Sequence, residues 1–185
     1  YFMRRSGASG LAFDTIAVSG KKSSLPHGVP GDERLTKDSF FTMDFGAKYN
    51  GYCSDMTRTV VVGKASDEMK HVYNTVLEAQ SEAMKYIRAG VSGRDADGVA
   101  RKIIADAGYG EYFGHSLGHS LGLEIHENPR VSPVSDDILV PGNIVTVEPG
   151  IYIPGKFGVR IENMVLVTEN GCENLTASPR GLIEL

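Results

Sequence analysis

The stretch Phe40–Val62, FFTMDFGAKYNGYCSDMTRTVVV, decides the fold. Two apolar runs rich in aromatic and β-branched residues flank Asn50-Gly51, a dipeptide strongly biased toward a type I′ hairpin turn. With Asn50 and Gly51 as the two loop residues, Asp55 lies opposite Gly46. Gly46 shares a strand face with Asp44, two residues earlier, because side chains alternate between faces. Asp44 and Asp55 are therefore diagonal neighbours on one face, their Cβ atoms ~7 Å apart. Two carboxylates so placed leave room for hard cations. Hairpin aspartates commonly just face water. Here Phe41, Met43, Phe45 and the run Val60–Val62 mark a strand pair set in a core, and buried carboxylates need partners.

A second acidic pair lies toward the other end. Pro141-Gly142 precedes an apolar strand, Ile144–Glu148, and Pro149-Gly150 and Pro154-Gly155-Lys156 mark turns before Val159–Thr168. A hairpin centred on Gly155 sets Glu148 opposite Glu162, with Pro149 and Pro154 interrupting the pairing. Like charges directly opposite destabilise a sheet. The pair therefore implies a cation between them or one protonated glutamate.

Between the acidic pairs runs Gly114–Glu127, GHSLGHSLGLEIHE, with His115, His119 and His126. His115 and His119 have the spacing of a helical zinc pair. Gly114, Gly118 and Gly122 argue against a helix, so the stretch reads as a loop entering a strand, where backbone can approach a ligand closely.

The remaining chain supplies a frame. Tyr1–Ser9 reads as the last turns of a helix ended at Gly10, Ala12–Ser19 as a strand, and Lys21–Gly31 as a loop that holds His27. Ser66 caps a helix carrying Met69, Val72, Tyr73, Val76, Leu77, Ala83 and Ile87, with Gly90 past its end. His71 falls off that stripe. Ser92 caps a second helix with Val99, Ile103 and Ala107, stopping near Gly108 and weakened at Gly98.

At 185 residues, with 41% hydrophobic and 23% charged residues, one soluble domain spanning 1–185 is expected. A net charge of −4 gives no electrostatic argument for nucleic acid or an anionic membrane. No apolar run approaches transmembrane length. Two cysteines, Cys53 and Cys172, are too few for a disulfide framework and fit a reducing compartment, the cytoplasm. The start, YFMRRSG, has neither a signal-peptide core nor an initiator Met, and reads as the cut edge of a longer protein.

Two Asp, two Glu and a nearby His form the chemical inventory. Four carboxylates repel one another unless cations intervene, and two divalent ions bring near balance. Oxygen-rich ligation with one imidazole suits Mn²⁺, Co²⁺, Fe²⁺ or Zn²⁺ better than a structural zinc site. Two such ions would activate water and polarise a carbonyl, the equipment of metal-assisted hydrolysis.

At these residues the chain resembles the catalytic domain of the pita-bread metallopeptidases: Xaa-Pro aminopeptidases, prolidases (Xaa-Pro dipeptidases) and methionine aminopeptidases. FDTI at Phe13, MDFG, CSDMTRT, GHSLGLEIHE, EPGIY and GVRIEN occur in the family's order. The resemblance implies an α/β (α+β) pita-bread fold: a curved antiparallel sheet flanked by helices, with pseudo-twofold symmetry. It implies two divalent metal ions, first Mn²⁺ and alternatively Co²⁺, Zn²⁺ or Fe²⁺. Asp44 would chelate one ion, Asp55 and Glu162 would bridge both, and His119 and Glu148 would bind the second. Glu148 would double as the proton shuttle. His126 resembles a His that contacts the substrate carbonyl, and His27 one that meets the substrate near the scissile amide. His115, Tyr152 and Arg160 match residues that line or buttress the pocket. The family also implies an N-terminal domain that often takes part in oligomerisation, hence a homo-oligomer in the full-length protein.

Within the family, EPGIYIPG followed by GVRIEN resembles the Xaa-Pro branch, whose substrates are peptides with proline in second position. Methionine aminopeptidases have a longer segment between the two glutamates. Asn163 departs from the Asp usual after RIE, which touches a supporting contact and no metal ligand. The competing readings are a methionine aminopeptidase and a non-catalytic binding module on the same fold.

Overall fold

In the computed structural model, which describes residues 1–185, Lys48 pairs with Cys53 and Tyr49 with Tyr52. Asn50 and Gly51 are thus the two loop residues, with φ of 49° and 88°, the left-handed pair that a type I′ turn requires. The same register continues down the long arms, Ser39–Phe45 against Met56–Val62, from Phe45 opposite Met56 to Ser39 opposite Val62. Between tip and arms the ladder breaks at Gly46. A Cβ there would lie 1.9 Å from the Ser54 carbonyl oxygen, so only glycine lets the two backbones approach where Asp55 leaves the ladder.

The fully buried face of Ser39–Phe45 carries Phe40, Thr42 and Asp44, while Phe41, Met43 and Phe45 are half-buried. The apolar residues that signalled burial thus mark the less buried face. The polar face is buried because the second hairpin packs on it: Thr59 Oγ1 donates to the Arg160 carbonyl at 2.9 Å.

That second hairpin repeats the plan of the first. Gly150–Ile153 pairs with Phe157–Arg160, and the register resumes across a gap with Val147 opposite Asn163 and Ile144 opposite Leu166. Glu148 and Glu162 stand in the gap, as the hairpin centred on Gly155 requires. All paired strands are antiparallel apart from one isolated parallel bridge between Val61 and Glu184. Ile16–Ser19 flanks Ser39–Phe45. A five-stranded sheet runs in the order Cys172–Asn174, Asn163–Val167, Ile144–Val147, Gly118–Ser120, Glu127–Val131. The glycine-punctuated histidine stretch is indeed a loop entering a strand, with His119 on Gly118–Ser120.

Two helices cover the sheets and close a core cluster of 25 buried residues. Ser66 caps Asp67–Tyr86, accepting from Met69 N–H at 3.2 Å, and Ser92 caps Gly93–Asp106, accepting from Asp95 N–H at 3.0 Å. The first ends at Tyr86, short of Gly90, because Ile87 turns extended (ψ 123°) and drops into the core. The second buries Ala96, Asp97, Ala100 and Ile104, so its core stripe lies one residue round from Val99, Ile103 and Ala107. Gly98 is exposed on its outer face, and the helix runs through it.

The amino-terminal helix is a single turn, Phe2–Arg5, with Gly7 at φ 103° and Gly10 already paired to Lys48. The strand read from Ala12–Ser19 is confined to Ile16–Ser19, and the loop after it opens with a short 3₁₀ turn, Gly20–Ser24. No helix is long and apolar enough to cross a membrane. At the other end the chain returns along Met56–Val62: Val61 N–H donates to Ile183 O and Leu185 N–H to Val61 O, both at 2.9 Å.

Candidate metal centre

The two hairpins meet at their ladder breaks. Thr57, two residues past Asp55, donates its hydroxyl to Glu162 Oε2 at 2.7 Å, and Glu162 N–H donates to Thr57 O at 3.1 Å. Asp55, His119 and Glu162 each offer a ligand atom, all within 4.8 Å of one another. His119 Nε2 lies 3.6 Å from Asp55 Oδ2 and 3.3 Å from Glu148 Oε1. Its Nδ1 faces the Ser120 carbonyl at 3.1 Å, which places the proton on Nδ1 and turns the Nε2 lone pair toward the carboxylates. Thr146 joins two of these groups: its Oγ1 accepts from His119 N–H at 3.0 Å and donates to Glu148 Oε1 at 2.9 Å.

Asp44 stands outside the tight Asp55–His119–Glu162 group. Its Oδ2 accepts from Arg160 Nη2 at 2.6 Å. Three carboxylate oxygens, Asp44 Oδ1, Asp55 Oδ1 and Glu162 Oε1, are buried without any hydrogen-bond partner. Buried polar atoms are almost always paired. Three orphans on buried acids, two of which are grouped with the His119 imidazole, are a donor set that fits divalent cations.

The electrostatics say the same. Burial first, then the charges of Asp44 and Glu148, push the Asp55 carboxyl up to about 8. Burial pushes Glu148 up to about 7 against the pull of Arg160, and holds Glu162 well above the usual carboxylate range. Burial holds His119 down to about 4, so it is a neutral ligand at neutral pH. Without cations the acids keep protons; with cations they can release them.

Beside this cluster opens a cavity of about 340 Å³ whose wall includes His27, His115, His126 and Arg130. The exposed His126 ring sits edge-on to His119, centroids 4.4 Å apart. His115 is wired inward. Its Nδ1 faces the Ser116 carbonyl at 2.8 Å and its Nε2 the Tyr152 hydroxyl at 2.9 Å, while Tyr152 Oη accepts from Arg160 Nη1 at 2.7 Å. Burial lowers His115 to about 4 and raises Tyr152 to about 12, so a neutral imidazole accepts from a protonated phenol. Arg160 Nη1 also donates to the Pro26 carbonyl at 3.0 Å, fixing the loop that carries His27. Burial works against the Arg160 charge, but Tyr152, Asp44, Glu148 and Glu162 outweigh it and hold the guanidinium more basic than usual.

Several supporting residues escaped the sequence reading. Thr57 and Thr146 sit two residues from Asp55 and Glu148, and strand alternation alone would have put each on its acid's face. Asp97 and Arg101 form a bidentate pair at 2.7 and 3.0 Å, and Arg101 donates to the Phe113 and His115 carbonyls, so this pair holds the loop before His119. An aspartate on a helix's buried stripe was the available signal. Arg130 lies opposite His119 in the strand register. The Asn163 departure is accommodated: Oδ1 accepts from Arg58 at 2.8 Å and Nδ2 donates to Asn174 Oδ1 at 2.7 Å. Nδ2 faces an acceptor there, so an amide suits the position.

The model of metallopeptidase family M24 matches residues 1–169. The Xaa-Pro dipeptidase of Pyrococcus horikoshii is 50% identical over 183 residues, 99% of this chain and 52% of that protein. A solved Xaa-Pro dipeptidase from Bacillus anthracis matches with a TM-score of 0.98 at 55% identity, covering 100% of this chain and 52% of that one. An X-Pro aminopeptidase from Thermotoga maritima matches with a TM-score of 0.97 at 51% identity, covering 100% and 53%. The chain thus spans about half the length of the relatives it matches. It shares their pita-bread α/β fold, and its buried Asp, His and Glu cluster supports divalent metal binding. By the family match over residues 1–169, this chain belongs to metallopeptidase family M24.

Proposed function

We infer that residues 1–185 form a catalytic domain for metal-dependent hydrolysis of the bond between an N-terminal residue and proline. The protein would act as an Xaa-Pro aminopeptidase or dipeptidase. One observation carries the chemistry: Asp55 and Glu162, each with an unpartnered carboxylate oxygen, gather with His119, and Asp44 brings a third such oxygen. The substrate class follows the names of the Pyrococcus, Bacillus and Thermotoga relatives.

In this reading Asp44, Asp55, His119, Glu148 and Glu162 would hold two divalent ions, Asp44 serving one, His119 and Glu148 the other, and Asp55 and Glu162 both. Mn²⁺ is the proposed ion, ahead of Co²⁺, Zn²⁺ and Fe²⁺. Bound divalent ions supply Lewis acidity for water activation and carbonyl polarisation. Glu148 takes the proton of the attacking water and passes it to the leaving nitrogen. Thr146, bonded to its Oε1, keeps that carboxylate turned to the cavity. His126 meets the substrate carbonyl. His27, on the loop that Arg160 anchors through Pro26, meets the imide nitrogen. His115, Tyr152 and Arg160 form the buttress of the proline pocket.

The proposal extends to a full-length protein with an N-terminal domain, acting on peptides as a homo-oligomer in the cytoplasm, with neither nucleic acid nor membrane as partner. Metal analysis and a matched panel of Xaa-Pro, Xaa-Ala and Met-Ala peptides on the full-length protein test the reading. Xaa-Pro peptides should be cleaved ~10–200-fold faster than Xaa-Ala ones, the range a snug pocket gives for lost apolar contact. A Met-Ala preference would move the protein to the methionine aminopeptidases. A protein that takes up no metal and cleaves none of the peptides when metal is supplied would be a binding module.

A further inference from the structure

The ladder break that frees Glu148 and Glu162 leaves backbone carbonyls in the core. Pro149 stands by register opposite Ile161 and brings no N–H, so the ladder cannot close there. The glutamates' own N–H groups are engaged elsewhere, Glu148 with Leu117 O at 2.8 Å and Glu162 with Thr57 O at 3.1 Å. The carbonyls just before them, Val147 O and Ile161 O, both accept from Gln80 Nε2, each at 3.0 Å.

Gln80 is fully buried on the inner face of helix Asp67–Tyr86, among Tyr73, Val76, Ala79 and Ala83. A primary amide has two N–H donors, and both are used. Its Oε1 accepts from Arg180 Nη1 at 3.1 Å, which fixes the end of the amide that faces the strands. Arg180 is itself held, since its carbonyl accepts from Tyr73 Oη at 2.8 Å. It lies past residue 169, where the family match ends.

We propose that Gln80, oriented by Arg180, is a positioning residue for the metal centre: one amide replaces the missing ladder rungs and sets the spacing of Glu148 and Glu162 from behind. The inference rests on the reading of both glutamates as metal ligands. A residue that merely fills the core affects folding; this one also affects how the site takes a cation.

The test uses the full-length protein with Gln80→Leu, Arg180→Met, Arg180→Lys and Glu162→Gln. Co²⁺ binding is followed by calorimetry and by its visible absorption, beside urea unfolding in chelator. Gln80→Leu should bind Co²⁺ ~10–100-fold more weakly with a changed absorption band, the usual range when support behind a ligand is lost. Arg180→Met should show a smaller loss, and Arg180→Lys should recover most of it. Variants that lose stability yet keep wild-type affinity and spectrum would overturn the proposal. Should Gln80→Leu not fold, the Arg180 pair decides on the same criteria. Unchanged Co²⁺ binding in Glu162→Gln would overturn the ligand assignment itself, whereas a loss there beside wild-type binding in Gln80→Leu overturns only the positioning role.

Discussion

Arg160 Nη2 lies 2.6 Å from Asp44 Oδ2, so one acid of the candidate metal centre is also half of a buried ion pair. The same guanidinium reaches Thr57 Oγ1 at 3.0 Å through Nε, and Tyr152 and Pro26 through Nη1. A planar fork serves four acceptors at once; an ammonium cannot. Arg160→Lys, which keeps the charge, should therefore lower kcat/KM on Xaa-Pro peptides by about 10²-fold, the scale of an ångström-sized misplacement. Arg160→Met strands a buried carboxylate and should cost about 3–5 kcal/mol in urea unfolding of the chelated protein. Wild-type kcat/KM in the lysine variant would show that the fork is dispensable.

Thr57→Val keeps shape but removes the hydroxyl that donates to Glu162 Oε2 and accepts from Arg160. Glu162 then loses its fixed rotamer, and metal affinity should fall ~10–100-fold with the fold intact. Equilibrium dialysis against Mn²⁺ reads this directly; unchanged affinity would mean that Glu162 is held by packing alone.

Glu148→Gln retains one carbonyl oxygen but loses the proton acceptor. If Glu148 is the shuttle, kcat should drop by roughly 10²–10⁴-fold, with an unaltered circular dichroism spectrum and weaker binding of one ion. Near-normal turnover would assign the proton transfer to another group.

The metal-free protein should have a pH dependence of defined sign. Asp55 is raised to about 8, by burial first, and Glu148 to about 7 by the same cause, against about 4 for both when unfolded. A raised folded pKa gives stability below the unfolded value that is lost as pH climbs through the folded one. His115 and His119, lowered to about 4 by burial, act oppositely, their share present above about 6.5 and lost as pH falls. Above about pH 6.5 the carboxylates of this set titrate unopposed, each by at most about 1.4 kcal/mol per pH unit and only until pH passes its folded value. Melting temperature in chelator should therefore fall between pH 6.5 and 8.5, and saturating Mn²⁺ should abolish the fall. A chelated protein equally stable at both pH values would contradict this packing of the acids.

The acidic pairs were legible because hairpin register is local. Once Asn50-Gly51 and Gly155 are taken as turns, alternation places Asp44, Asp55, Glu148 and Glu162 without any tertiary knowledge. Which face is buried was not legible: Thr42 and Asp44 face inward because the other hairpin lies on them, and nothing within Ser39–Phe45 says so. The Asp44–Arg160 pair was beyond reach for the same reason, since its partners are 116 residues apart. Gln80 was half visible. It falls on the stripe of Tyr73, Val76 and Ala83, where a polar residue signals a buried hydrogen-bond demand, but the carbonyls it serves arise only from the break at Pro149.

Each acidic pair belongs to one hairpin, whereas Thr57 and Glu162, which join the hairpins, are 105 residues apart. This division favours an order of assembly in which each hairpin forms before the two dock. Short loops close quickly and at little entropic expense, while long ones close late. Two half-sites of like charge would then form early, and pressing them together without a cation would cost either repulsion or the uptake of protons. A cation belongs to that final docking. Its concentration during refolding should set the speed of the finishing step and leave the formation of either hairpin untouched.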